Sequence, residues 1–262
     1  MNHASFPVVV IEAILISLIL YKIFSARRGK DLFIRRIPGL SAIDEAVGRA
    51  TELGRPIFFS PGLGGLDIVS LQALSILSHI VKLAAQFRTR VVVALADAVL
   101  MTVAQEVARE AYAREGTPEL YEPDDIRFLS DQQFAYASAS IGLMSREKAA
   151  SCMYFGHFFA ESLILAETGH HIGAIQVAGT PDTTQLPFFI AACDYTIIGD
   201  EFYAGSAYLS REPTLLGSLV GQDYSKLVLL SLILLGVLGV TLAPWWEPGL
   251  AVLKWFTIGK AE

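Results

Sequence analysis

The residues nearest to a binding motif are Ser60, Pro61, Gly62, Leu63, Gly64 and Gly65. Small residues that turn an apolar strand into a helix leave unpaired amides able to hold a phosphate or carboxylate. The spacing is not the dinucleotide pattern GxGxxG, and no Lys followed by Ser or Thr closes it as a phosphate loop requires. A tight turn against a closely packed helix explains the same glycines without a ligand. Asp97, Asp131, Asp182 and Asp200 follow other apolar runs, as do Ser130 and Thr180. Carboxylates there suit a hard cation or acid–base work. Asp131, Asp182 and Asp200, however, stand where helix caps belong, which accounts for aspartate without chemistry. Asp97 has the least evident structural employment. The expected ligand-binding set is therefore Ser60, Gly62, Gly64, Gly65, Asp97, Thr180 and Asp182, and the expected ligand is a small anion.

Other reactive types are less telling. His157 and Glu161 have the spacing of one helical turn and read as a hydrogen-bonded core pair. The second histidine of HExxH is missing and no cysteine completes a zinc site, so no metal is expected. His170 and His171 fall past a helix end, on the rim opposite the glycine turn. Ser60, Ser130 and Ser151 are nucleophiles by type alone, and none sits in a GxSxG elbow. Cys152 and Cys193 fall in apolar segments that read as helical, where thiols act as small hydrophobes; two cysteines make no disulfide framework and suit a reducing compartment. No catalytic residue is assigned, and the cofactor is unknown.

These residues are placed by alternating strand and helix patterns. A helix opened by Ser41, Asp44 and Glu45 closes at Gly54. It is followed by a strand at Pro56 to Ser60, a helix at Leu66 to Phe87, a strand at Val91 to Leu95 and a helix at Leu100 to Glu115. Beyond the Thr117 to Asp125 loop come a strand at Ile126 to Leu129 and a helix near Asp131 to Met144, with Ser130 and Gln133 as a capping box. A second long helix is expected over about Arg146 to Thr168. Strand, helix, strand and helix then fall at Ile172 to Ala178, Pro181 to Ala192, Tyr195 to Ile198 and Glu201 to Leu209. Such alternation predicts an α/β fold, a largely parallel Rossmann-like sheet covered by helices on both faces. Ligands of such sheets bind outside the carboxyl ends of the strands, where the expected set lies.

Of the 262 residues, 53% are hydrophobic and 18% charged, against about 25% charged in a typical soluble domain. The excess sits in Phe6 to Phe24 and Leu227 to Leu242, runs of about bilayer length. A purely soluble protein is excluded. The expected domains are an anchor at 1–26, a cytoplasmic α/β domain at 27–226, a second transmembrane helix at 227–244 and an interfacial tail at 245–262, with Trp255 in the headgroup region. Lys22, Arg27, Arg28, Lys30, Arg35 and Arg36 follow the first run, and no Lys or Arg precedes it. By the positive-inside rule both termini are outside a cell membrane and the central domain is cytoplasmic. Pro244, Trp245 and Trp246 suit the far interface. Net charge of -6, from 20 basic and 26 acidic residues, offers no footprint for nucleic acid. Glu12 interrupts the first run, which suggests snorkelling or a protein contact. Gly236 and Gly239 allow close helix approach, or equally a local distortion.

The blocks Ile37 to Leu40, Gly54 to Gly62, Ala178 to Asp182, Gln185 to Phe189 and Gly199 to Ala204 resemble an uncharacterised prokaryotic membrane-anchored family known only as a domain of unknown function. The resemblance implies two transmembrane helices flanking an α/β domain, and implies no activity, substrate or catalytic residue. The expectation is a non-catalytic, membrane-anchored homo-oligomeric module, a scaffold or ring, whose partners are the bilayer, further copies of itself and a small anionic ligand. The alternative is a membrane-bound enzyme acting on a nucleotide-like, phosphorylated or lipid-derived substrate, with Asp97 and Asp182 or Glu201 supplying acid–base or metal chemistry.

Overall fold

The computed structural model describes residues 6–28, 38–199, 201–210 and 213–242. Lys30, Arg35, Arg36, Asp200, Trp245, Trp246, Trp255 and the expected interfacial tail lie outside the described residues. Contacts divide the chain into two units, one made of its terminal segments and one spanning Arg35–Ser210.

In the second unit, α2 (Pro38–Leu53) leads into β1 (Ile57–Gly62), α3 (Ile68–Gln86), β2 (Val91–Leu95), α4 (Ala98–Arg114) and β3 (Ile126–Phe128). After α5 (Gln133–Glu147) come β4 (Ser151–His157), α6 (Glu161–His171), β5 (Ile175–Thr180), α7 (Leu186–Ala192), β6 (Tyr195–Ile198) and α8 (Glu201–Ser210). The six strands form one sheet in the order β3-β2-β1-β4-β5-β6, and every neighbouring pair is parallel. This is the doubly wound order, with its switch point between β1 and β4.

Strand alternation divides the core. Ile57 and Phe59 of β1 join α2, α3, α4 and α8 on one face, and Phe58 joins Tyr136, Leu165 and Phe189 of α5, α6 and α7 on the other. Central strands are therefore apolar on both sides, as β2 (VVVAL, fully buried) is.

The expected helix over Arg146 to Thr168 is corrected. Its middle is β4, the central strand beside β1. A strand buried on both faces is a continuous apolar run, which periodicity alone cannot separate from a buried helix segment. The helix stop was also hidden, because Lys148 takes the left-handed conformation (φ 52°) that glycine usually marks. Cys152 accordingly lies in a strand, while Cys193 follows the last residue of α7.

The terminal unit contains α1 (Phe6–Arg27) and α9 (Pro213–Leu242). Both are long and apolar enough to cross a membrane, over Val8–Arg27 and Pro213–Gly239. The third helix that passes this test by composition is α3, but 56% of its apolar window is buried inside the α/β unit. It serves as core. α9 starts at Pro213, ahead of the Leu227 expected from hydropathy, because Gln222, Asp223 and Lys226 interrupt the apolar run without interrupting the helix.

Candidate functional site: the β1–β4 switch point

At the carboxyl end of β1 the chain pinches against β4. Gly62 has φ +76°, and a Cβ there would stand 1.8 Å from the His157 carbonyl oxygen. Gly156, at φ +147°, would place its Cβ 2.1 Å from the Pro61 carbonyl oxygen. The β1–β4 register shifts between Ser60 and Gly62, and the Leu63 amide donates to the His157 carbonyl at 2.9 Å. Both glycines are thus required by backbone contact and by conformation.

The pinch presents His157 at the rim between loops from two other strands. Its Nδ1 lies 2.9 Å from Asp182 Oδ2, and its Nε2 lies 3.2 Å from Asp67 Oδ2. Asp182 follows β5 and is fixed by further donors: the Phe158 amide at 3.3 Å and the Thr180 hydroxyl at 3.3 Å, which itself accepts from the Asp182 amide at 3.1 Å. Asp67 caps α3, its Oδ1 accepting from the Ser70 amide at 2.8 Å. Both ring nitrogens of His157 are thus in contact with a carboxylate.

Several polar groups near this ring lack hydrogen-bond partners among the described residues. The Ser70 hydroxyl is buried and makes no hydrogen bond. Its Oγ would stand 2.6 Å from a Cβ on Gly64, whose own Cβ position is 3.2 Å from the His157 ring. The amides of Gly64, Gly65 and Leu66 donate to no acceptor among the described residues. The Gly64 turn thus lies between the buried Ser70 hydroxyl and the His157 ring, whose Nε2 contacts Asp67.

The remaining expected residues separate into structural roles. Ser60 is fully buried and committed to a relay. The Tyr136 hydroxyl donates to the Ala94 carbonyl at 3.0 Å, so Ser60 donates to Tyr136 at 2.7 Å and accepts from the Gly62 amide at 3.1 Å. This ties β1, β2 and α5 together and leaves Ser60 no base to activate it. Burial holds the Tyr136 phenol well above its ordinary pKa. Asp97 does have structural employment: it caps α4, accepting from the Leu100 amide at 2.6 Å. Asp131 is exposed, and the residue before α5 is Gln132, without a side-chain cap. The Ser130–Gln133 capping box does not form; Ser130 accepts from the Gln132 amide, and Gln133 reaches Glu161 at 2.7 Å. A Cβ at Gly65 would meet nothing within 4 Å.

His157 and Glu161 do not share a helical face. His157 ends β4, and Glu161 opens α6, buried between Gln133 and the Phe159 amide. Two of the groups in the cluster, His157 and Asp67, were absent from the expected set. Asp67 was legible as a cap just before an apolar helix, whereas His157 was hidden by the misread strand. His170 and His171 end α6 at the opposite rim, where His170 lines an open cleft with Glu45, Arg49, Glu52 and Asp194.

In the terminal unit, Glu12 is exposed on α1. Gly239 lies near the end of α9, and a Cβ at Gly236 would meet nothing within 4 Å. Close approach between α1 and α9 occurs at Gly217 and Gly221, a GxxxG pair absent from the sequence expectation. Their Cβ positions lie 2.5 Å from Ile23 Cα and 2.9 Å from Ile19 Cα.

No curated protein and no solved structure matches this chain. A family model does, over residues 1–248, from ahead of α1 to beyond α9. With its terminal apolar helices and its six-stranded parallel sheet falling inside that match, the chain belongs to the family defined by the domain of unknown function DUF6754.

Proposed function

We propose that this protein is a membrane-anchored module whose cytoplasmic doubly wound domain receives a small anionic ligand at the β1–β4 switch point, and that it works as a homo-oligomer. The observation that carries the ligand reading is the buried Ser70 hydroxyl, left without a partner beside the Gly64 turn and the His157 ring. His157 Nε2 meets a carboxylate supplied by the chain itself, Asp67 at 3.2 Å. A carboxylate or phosphate oxygen entering there takes the place of Asp67 Oδ2 beside His157, and the Asp67 side chain is 44% exposed. Thr180 and Asp182 hold the far side by fixing the imidazole. The anchor reading rests on the composition of α1 and α9, and the basic residues after α1 support an orientation with both termini outside.

The ligand test is a titration of the full chain with inorganic phosphate and with acetate, followed by the imidazole resonances of His157. Asp67→Asn should tighten binding, since it weakens the internal competitor, and Gly64→Val should abolish it by filling the space before Ser70. Equal affinity in wild type, Asp67→Asn and His157→Gln would remove the site. For topology, a cysteine introduced in the Thr117 to Asp125 loop should resist an impermeant reagent in intact cells; labelling without permeabilisation would reverse the orientation.

One observation favours the enzyme reading. Asp182 orients His157 through Nδ1, the arrangement of a base and its orienting carboxylate, and departure of Asp67 would free Nε2 toward a bound group. Turnover of a phosphorylated or lipid-derived substrate that is lost in both His157→Gln and Asp182→Asn would establish it.

A further inference from the structure

Helices α1 and α9 run antiparallel with a fixed register. Arg27 meets Thr214, Ile23 meets Gly217, and Ile19 meets Gly221. Continuing that step of four residues places Ser225, which is buried, at the level of residue 15, the middle of the Phe6 to Phe24 apolar run. Gly217, Gly221 and Ser225 follow one another at helical spacing and face α1. Gln222, Asp223 and Lys226 lie on the remainder of the α9 circumference and are exposed.

The apolar runs expected from hydropathy alone, Phe6 to Phe24 and Leu227 to Leu242, are consequently out of step. The centre of Leu227 to Leu242 lies roughly 14 Å along the axis from the centre of Phe6 to Phe24, at 1.5 Å per residue. A bilayer centred on α1 therefore meets α9 over about Leu216 to Leu234, with Gln222 and Asp223 near its midplane. The cytoplasmic boundary on α9 moves from Lys226 to about Thr214, beside Arg27. Glu12, also exposed, lies within about two turns of the same level. Among the described residues, no hydrogen bond or ion pair is made by the side chains of Gln222, Asp223 or Glu12.

Resting on the anchor reading above, we infer that Gln222 and Asp223 form a polar band within the membrane, covered by the same band of a second copy of this chain. Ionisable groups within a bilayer face protein or water because lipid offers them no partner. The band is self-complementary: Gln222 carries an amide donor and Asp223 an acceptor, so a two-fold contact satisfies both sides with one pair of residues. The Gly236 to Gly239 segment, by contrast, lies beyond the level reached by Phe6.

The test uses the full chain in phosphatidylcholine vesicles and nanodiscs. Gln222→Cys and Asp223→Cys should crosslink between copies, whereas Ser17→Cys, at the same depth on α1, should not. Gln222→Leu with Asp223→Leu should weaken self-association by about three- to thirtyfold, measured by dilution into excess lipid. Asp223→Asn, which keeps an acceptor, should retain most of it. A chain that resists alkaline extraction yet stays monomeric, or whose Asp223→Cys reacts readily with a membrane-impermeant thiol reagent, overturns the inference while leaving the anchor intact. Co-purification of a different membrane protein with monomeric chain overturns it equally. Release of the chain by alkali overturns the anchor reading itself.

Discussion

Gly62→Ala should be among the most damaging single-methyl changes in the α/β unit. At φ +76° an alanine pays roughly 1–2 kcal/mol for the left-handed conformation. Its Cβ would also stand 1.8 Å from the His157 carbonyl oxygen, so the ends of β1 and β4 must separate by more than an ångström to reach ordinary contact. That movement breaks the 2.9 Å bond from the Leu63 amide to the same carbonyl. Stranding those partly buried groups adds about 1–3 kcal/mol. The sum is about 2–5 kcal/mol, or a fall in midpoint of roughly 5–15 °C for a domain of this size. Gly65→Ala is the internal control, because open space surrounds that position and its φ is not in the left-handed range; its effect should stay within about 0.5 kcal/mol. Thermal unfolding of the full chain in mild detergent, followed by circular dichroism, measures both. If Gly62→Ala melts with wild type, or Gly65→Ala falls as far as Gly62→Ala, the pinch is not what requires glycine in this turn.

The Ser60 relay predicts non-additivity: Ser60→Ala and Tyr136→Phe should each destabilise, and the double variant should lose about 1 kcal/mol less than the sum, since each single change strands the other's partner. Burial pushes the Cys152 thiol up to about 12 and the Cys193 thiol higher still. A thiol reagent near about pH 8 should therefore react slowly with the native chain and with both cysteines once denaturant is added. Burial holds His79 below its ordinary 6.5, partly offset by Asp44 at 3.9 Å. The folded state then binds fewer protons than the unfolded one, so this contribution is complete above the unfolded pKa and is lost as pH falls through the folded value. His79→Gln should flatten the acid-side decline in stability, and an unchanged slope would assign that decline to other groups.

How far the site could be read depended on whether each feature is local. The turn from Ser60 to Gly65 and the positions of Asp97, Thr180 and Asp182 follow from alternation and strand ends, which neighbouring residues specify. The roles did not follow, because a cap, a relay and a ligand contact use the same residue types. Asp97 and Asp67 are both caps, yet only Asp67 faces an imidazole, and that depends on where β4 ends.

By itself the sequence determined the class: apolar runs at both ends, and between them strands followed by helices, which only a parallel sheet covered on both faces can accommodate. Those are properties of periodicity and composition within ten or twenty residues. Tertiary structure alone decided that Ser151–His157 is the central strand. A segment buried on all sides carries no periodic mark, and its pairing with β1 is made by residues far away in the chain. It decided likewise that Gly217 and Gly221 bring α9 against α1. Helix register is set by which side chains fit across the contact, and hydropathy, which averages over a window, does not contain that information.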